Sequence, residues 1–178
     1  MTEEESLLAA IHEEVALCPY DPLWPAMFER ERGRLISIFP AEFIDIQHIG
    51  GTAVYGLTAK PIIDVLAGVA SMRVAEALVE PLCRSGYTTS AEFNSTLPDS
   101  RWLMRWANGH RTHHLHLAVH DSTFWIRRLR FRDALRSDPA LAARYSVLKS
   151  ELAARHRTDR DAYTDAKSKF ILAVIEDA

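Results

Sequence analysis

The sequence predicts a single α+β domain, in which a mixed β-sheet with flanking helices is followed by a C-terminal helical block. Three observations predict it. Residues 43–49 and 62–69 carry the period-two or β-branched patterning of strands. Residues 74–83 space their apolar side chains as a helix does. From Asp121 onward the pattern is helical, broken only by cap and turn residues.

Residues 1–13, with Glu3, Glu4 and Glu5, read as an acidic N-terminal tail, and 14–178 as one domain. Residues 14–17 read as a short strand. Asp21 is placed to cap a helix over 22–38, with Pro22 in a first turn that needs no N–H from it. Phe43 to Ile49 alternates apolar and polar residues as a half-buried strand does, and ends at Gly50-Gly51-Thr52. Residues 62–69 suit a strand covered on both faces, interrupted by Asp64. Ser85 and Gly86 stop the helix over 74–83, residues 87–89 open another extended segment, and 101–106 and 113–119 are further strands, giving roughly five in all. Asp121 or Ser122 caps a helix over 124–136, Asp138-Pro139 starts one over 141–155, and a third covers 161–175.

With 48% hydrophobic and 25% charged residues, 178 residues are enough for one buried core. The start lacks a basic, then apolar, leader pattern, and no stretch reaches membrane-spanning length, so a soluble cytoplasmic protein with no membrane partner is expected. Cys18 and Cys83 are far apart and offer neither a disulfide framework nor a metal knuckle. The net charge of −3 hides an asymmetry: residues 1–60 hold ten acidic and four basic side chains, residues 101–160 thirteen basic and five acidic. Without interleaved stacking aromatics, this favours a solvated arginine-rich face over a nucleic-acid surface and leaves a phosphorylated small molecule open.

Three groups of residues carry candidate chemistry. Gly50 and Gly51, following a strand, let backbone N–H groups approach a phosphate, and Thr52 adds a hydroxyl; the plain alternative is a tight turn. Lys60 and Asp64 follow, and a carboxylate set in an apolar strand is costly unless paired or bound to a cation. His114 and His116, two apart on a strand, project to one face, where both can look at Asp64. With His48 they offer the ligand types of zinc, manganese or iron, although such imidazoles also serve as hydrogen-bonded core residues. Tyr145 with Lys149 and Tyr163 with Lys167 repeat an i,i+4 spacing that sets a ring beside an ammonium group. Such pairs suit a nucleotide, or amphipathic packing with a snorkelling lysine.

These landmarks, in order, resemble the GrpB (UPF0157) family: Pro19-Tyr20-Asp21-Pro22-Leu23-Trp24-Pro25, His48-Ile49-Gly50-Gly51-Thr52-Ala53-Val54-Tyr55-Gly56-Leu57, Lys60-Pro61-Ile62-Ile63-Asp64, His114-Leu115-His116-Leu117, Tyr145-Ser146-Val147-Leu148-Lys149 and Tyr163-Thr164-Asp165-Ala166-Lys167. The resemblance covers residue 14 to the C-terminus. It implies a nucleotidyltransferase-like fold, in which a glycine turn precedes a strand bearing two alternating carboxylates that hold two Mg²⁺ ions. Gly50, Gly51 and Asp64 match that pattern; Leu66 stands at the second carboxylate position, and Gly51 replaces a common serine.

The leading expectation is therefore metal-dependent transfer of a nucleotidyl group from a nucleoside triphosphate to a small-molecule acceptor. Gly50, Gly51 and Thr52 would cradle phosphate. Asp64, with His114, His116 or His48, would hold a divalent cation, Mg²⁺ or Mn²⁺, with Zn²⁺ as an alternative. Lys60 is a secondary catalytic candidate, and Tyr145, Lys149 and Lys167 would meet the substrate. The alternatives are a catalytically silent nucleotide- or phosphometabolite-binding module and a single-metal His/Asp hydrolase.

Overall fold

The structure, a computed structural model, describes residues 2–177. Four strands form one sheet: β1 (Asp45–Ile49), β2 (Ile63–Val69), β3 (Ser100–Ala107) and β4 (His110–Val119), in the order β1-β2-β4-β3. The outer pairs are antiparallel and the central β2–β4 pair is parallel, so the sheet is mixed, as expected. Neither short extended segment joins it as a strand. Cys18 makes an isolated bridge with Ala59, and Thr88 one with Met104.

Residues 3–12, read from sequence as part of an acidic tail, are helix α1 (Glu3–His12). Thr2 and Glu5 close a capping box, with Glu5 N donating to Thr2 Oγ1 at 3.2 Å and Thr2 N to Glu5 Oε2 at 2.7 Å. The helix is anchored, not trailing: Ala10 is buried against Trp102 and Met104 of β3, and Trp106 Nε1 donates to Ser6 Oγ at 2.9 Å. The other helices are α2 (Trp24–Ile38), α3 (Met72–Arg84), the short α4 (Ala91–Ser95), α5 (Thr123–Ser137), α6 (Pro139–Arg155) and α7 (Arg160–Asp177). α2 begins two residues later than expected, because Asp21 Oδ1 takes the N–H of Leu23 and holds a turn ahead of it.

Strand parity divides the molecule into layers. Ile63, Val65, Ala67 and Val69 of β2, with Leu115 and Leu117 of β4, face Phe28 and Leu35 of α2 and Ala75, Leu78 and Leu82 of α3. The opposite face carries Asp64, Leu66, His114, His116 and Ala118 beneath the C-terminal helices. There Ile49, Leu66 and Ala118 form a small apolar floor under Trp125 of α5. Leu66 is fully buried in it, a gain of about 1.5–3 kcal/mol over an exposed leucine. No helix among the described residues is long and apolar enough to cross a membrane.

Candidate functional site

The parallel register sets Asp64 beside His114 and Leu66 beside His116, so the carboxylate and both imidazoles share the face that the sequence assigns them. Asp64 Oδ1 lies 3.0 Å from His114 Nδ1 and 3.7 Å from His116 Nε2. The Asp64 side chain stays 26% exposed, at the floor of a cleft rather than sealed in the core. β1 ends opposite it, and Gly50 then turns the chain over the carboxylate with φ +73°. A Cβ at position 50 would come 2.4 Å from Asp64 Oδ2, so glycine is required both for the turn and for the space the carboxylate fills.

Burial acts to raise the Asp64 pKa, but the hydrogen bond from His114 and the close approach of the His116 ring outweigh it and hold the carboxyl well below its usual range. Asp64 is therefore an anion. Burial lowers both imidazoles against the pull of Asp64, so they are neutral near pH 7. The tautomer of His114 follows from its partners: Arg111 Nη1 lies 3.4 Å from Nε2 and can only donate, which leaves Nδ1 to carry the proton toward Asp64. Arg111 is in turn paired with Glu13.

His48 does not join this group. It lies opposite Val65 in the β1–β2 register, on the far face of the sheet, stacked on Phe28 with ring centroids 4.7 Å apart. Burial lowers its pKa to about 4, and it is a neutral core residue. Its Nε2 lies 2.9 Å from Thr52 Oγ1, and Thr52 donates onward to Ile62 O at 3.5 Å. The Thr52 hydroxyl is thus buried and occupied, unlike the free phosphate ligand expected from sequence. Among the described residues, no group of three His, Cys, Asp or Glu side chains is arranged to hold a metal ion.

The cleft is completed by cations. Lys149 of α6 is buried, with Nζ donating to Thr58 O beside the glycine turn. A Cβ at Gly51 would stand 3.0 Å from that Nζ and 2.8 Å from Ala59 Cβ, so the residue replacing serine makes room for an ammonium group. Lys60 and Lys167 lie over the same Tyr163 ring, 4.8 and 4.2 Å from its centroid. Three of the chain's four lysines thereby gather in one cleft, and among the described residues none makes an ion pair. Burial and then the neighbouring Lys167 lower Lys149 to about 7; burial and then Lys167 lower Lys60 to about 8. Lys167 is also lowered to about 8, chiefly by burial.

Tyr145 proves to be a packing residue. It is buried edge-on to Phe131 and stacked on Phe170, each with centroids 5.2 Å apart, and carries Lys149 over its ring at 4.9 Å. Sequence reasoning missed Arg111, which reaches His114, Arg160, which lies 5.8 Å over Trp102, and Arg128, which lies 4.7 Å over Phe124 beside His116. Only the basic bias of residues 101–160 pointed toward them. A separate cavity of about 300 Å³ lies outside the turn, lined by Val54, Tyr55, Leu57, Leu135, Arg136 and Ala142, and contains none of these groups.

A mixed sheet under a helical block, with a glycine turn bent over one strand carboxylate and lysines gathered around it, defines an α+β domain with a predominantly cationic cleft. The chain belongs to the GrpB family: the family model described as GrpB protein matches residues 14–177. The crystal structure of the conserved protein GrpB from Enterococcus faecalis superposes with a TM-score of 0.80 at 36% identity, covering 91% of this chain and 96% of that one. UPF0157 protein YqkA of Bacillus subtilis is 35% identical over 97% of this chain, which spans only 50% of that protein's length. The Glutamate-rich protein GrpB of Alkalihalophilus pseudofirmus is 31% identical over 92% of this chain and 95% of its own.

Proposed function

We propose that the cleft over Asp64 binds a phosphorylated small molecule, with a nucleoside triphosphate as the first candidate. One observation carries this reading: Lys149 sits against the glycine turn, Lys60 and Lys167 share the Tyr163 ring, and among the described residues none of the three makes an ion pair. Like charges confined in a partly buried cleft repel one another, and an anion with several phosphoryl oxygens relieves that repulsion while using their free N–H donors.

Transfer of a nucleotidyl group to an acceptor is the finer reading, supported by the likeness of Gly50, Gly51 and Asp64 to the nucleotidyltransferase pattern. It calls for Mg²⁺ or Mn²⁺ at Asp64. The donor set here is one carboxylate, already hydrogen-bonded to His114, with Leu66 buried where a second would stand. That set does not fit a paired-cation arrangement. Binding is the function these residues support best.

The test is thermal unfolding of the wild-type protein with each common nucleoside triphosphate. A ligand at a hundredfold its Kd adds about 2.7 kcal/mol, which raises the Tm of a domain this size by several degrees. No rise with any of them, or a rise that Lys167→Met leaves intact, would remove the nucleotide from this cleft.

A further inference from the structure

We propose that the cleft takes a polyphosphate as its metal-free anion, with Lys60, Lys149 and Lys167 supplying the neutralisation that paired divalent cations supply in a two-metal site. The inference rests on the preceding reading that phosphate binds here, and adds how its charge is met.

Two substitutions in the same cleft point to this, and they lie on different elements. At position 66, the strand offers a leucine that is fully buried under Trp125 with Ile49 and Ala118. The place for a second carboxylate is not merely empty of charge; it is filled by the packing of α5 onto the sheet. At position 51, the missing Cβ admits the Nζ of Lys149, which donates one N–H to Thr58 O and has, among the described residues, no hydrogen-bond acceptor for the other two. One side of the glycine turn is thus apolar where a cation-holding carboxylate would stand, and on the other side the cation is a side chain.

Lys60 and Lys167 complete the arrangement. Both lie over the buried Tyr163 ring, which holds two like charges near each other, and Lys167 is also close enough to Lys149 to lower its pKa. The three ammonium groups and the Asp64 carboxylate sum to a net charge of +2 when the lysines are protonated. A divalent cation brought to this place meets repulsion from all three lysines and attraction from one carboxylate, whereas a di- or triphosphate meets the reverse. Arg128 and Arg160, which also act on Lys167, bring the sum to about +4, which a triphosphate at about −4 matches better than a monophosphate at about −2.

The experiment is calorimetric titration of the four common nucleoside triphosphates and inorganic triphosphate, each in EDTA and again in excess Mg²⁺. The expected result is that at least one probe binds in EDTA as tightly as in Mg²⁺ or more so, and that Lys167→Met weakens it tenfold or more. Lys169→Met, on the same helix but outside the cleft, should leave the affinity unchanged. Should Lys149→Met fail to fold, Lys167→Met still carries the test, since methionine keeps the stem over Tyr163. Binding that appears only with Mg²⁺ overturns the metal-free inference while preserving the phosphate reading. Binding in neither condition overturns both.

Discussion

Arg111 Nη1 stands 3.4 Å from His114 Nε2 while the same guanidinium pairs with Glu13, so one buried arginine ties the segment after α1 to the floor of the cleft. Its side chain is 2% exposed. Because arginine only donates, it fixes which nitrogen of His114 bears the proton, and therefore that His114 donates to Asp64. Arg111→Met should destabilise the fold by about 1–3 kcal/mol through the partner groups left unsatisfied. It should also let both tautomers of His114 populate. Urea unfolding reads the first effect and imidazole ¹⁵N shifts the second; an unchanged single tautomer would show that Asp64 alone orients the ring.

Restoring the second carboxylate tests whether position 66 is a site that lost its charge or a core position. Leu66 is fully buried beneath Trp125, so Leu66→Asp removes apolar contacts and buries a carboxylate with no partner. The expected cost is about 3–5 kcal/mol, or a new carboxyl that stays protonated with a strongly raised pKa, and in either case no gain in divalent cation affinity. A folded Leu66→Asp variant that binds Mg²⁺ or Mn²⁺ tightly would make the position an open metal site.

The grouping of Asp64, His114 and His116 was legible in the sequence because strand parity is a local property, and only the β2–β4 register had to be supplied by the fold. Parity also held the signal against His48, which shares the face of Ile46 and stacks on Phe28; weight given to its residue type hid that. Thr2 and Glu5 spelled a capping box within the segment read as a tail, and the run of acidic residues obscured it. The sharing of Tyr163 by Lys60 and Lys167 was not readable, because it depends on how α7 docks against a loop a hundred residues earlier in the chain. For the same reason the isolated Tyr145–Lys149 spacing suggested an open pair, whereas packing of α5 and α7 buries that ring.

Gly50→Ala addresses the coupling between turn and carboxylate. Alanine at φ +73° is strained by about 1–2 kcal/mol, and its Cβ would meet Asp64 Oδ2 at 2.4 Å. The variant should lose at least that much stability and, by pushing Asp64 off His114, should raise the carboxyl pKa from its depressed value. Chemical denaturation and ¹³C carboxyl titration measure both. A loss of stability with no change at Asp64 would mean that the backbone turn alone accounts for the glycine.

The lysines give the ligand-free protein a pH dependence whose sign can be worked out. Lys149 is lowered to about 7, and Lys60 and Lys167 to about 8, all from 10.5. In the unfolded chain all three return toward the higher value, so between pH 7 and 10 the unfolded state holds more protons than the folded one. Stability therefore rises with pH across that interval: the cost of burying charged lysines, with the repulsion from neighbouring cations added, is fully present below about pH 7 and is relieved as the folded lysines discharge. Toward pH 10 the trend reverses, because burial raises the pKa of Tyr163 and, with the Glu31 carboxylate, that of Tyr87, so unfolding releases protons there. Chemical denaturation of the apo protein at pH 7, 8 and 9 should show an increasing unfolding free energy, and Lys149→Met should flatten its lower end. A bound polyphosphate favours the charged lysines, so binding should take up protons at pH 8, visible as a dependence of the binding heat on the buffer's ionisation enthalpy. A flat apo profile with no proton uptake would mean that solvent already reaches the three ammonium groups and screens them, and the case for a polyanion in this cleft would lose its electrostatic basis.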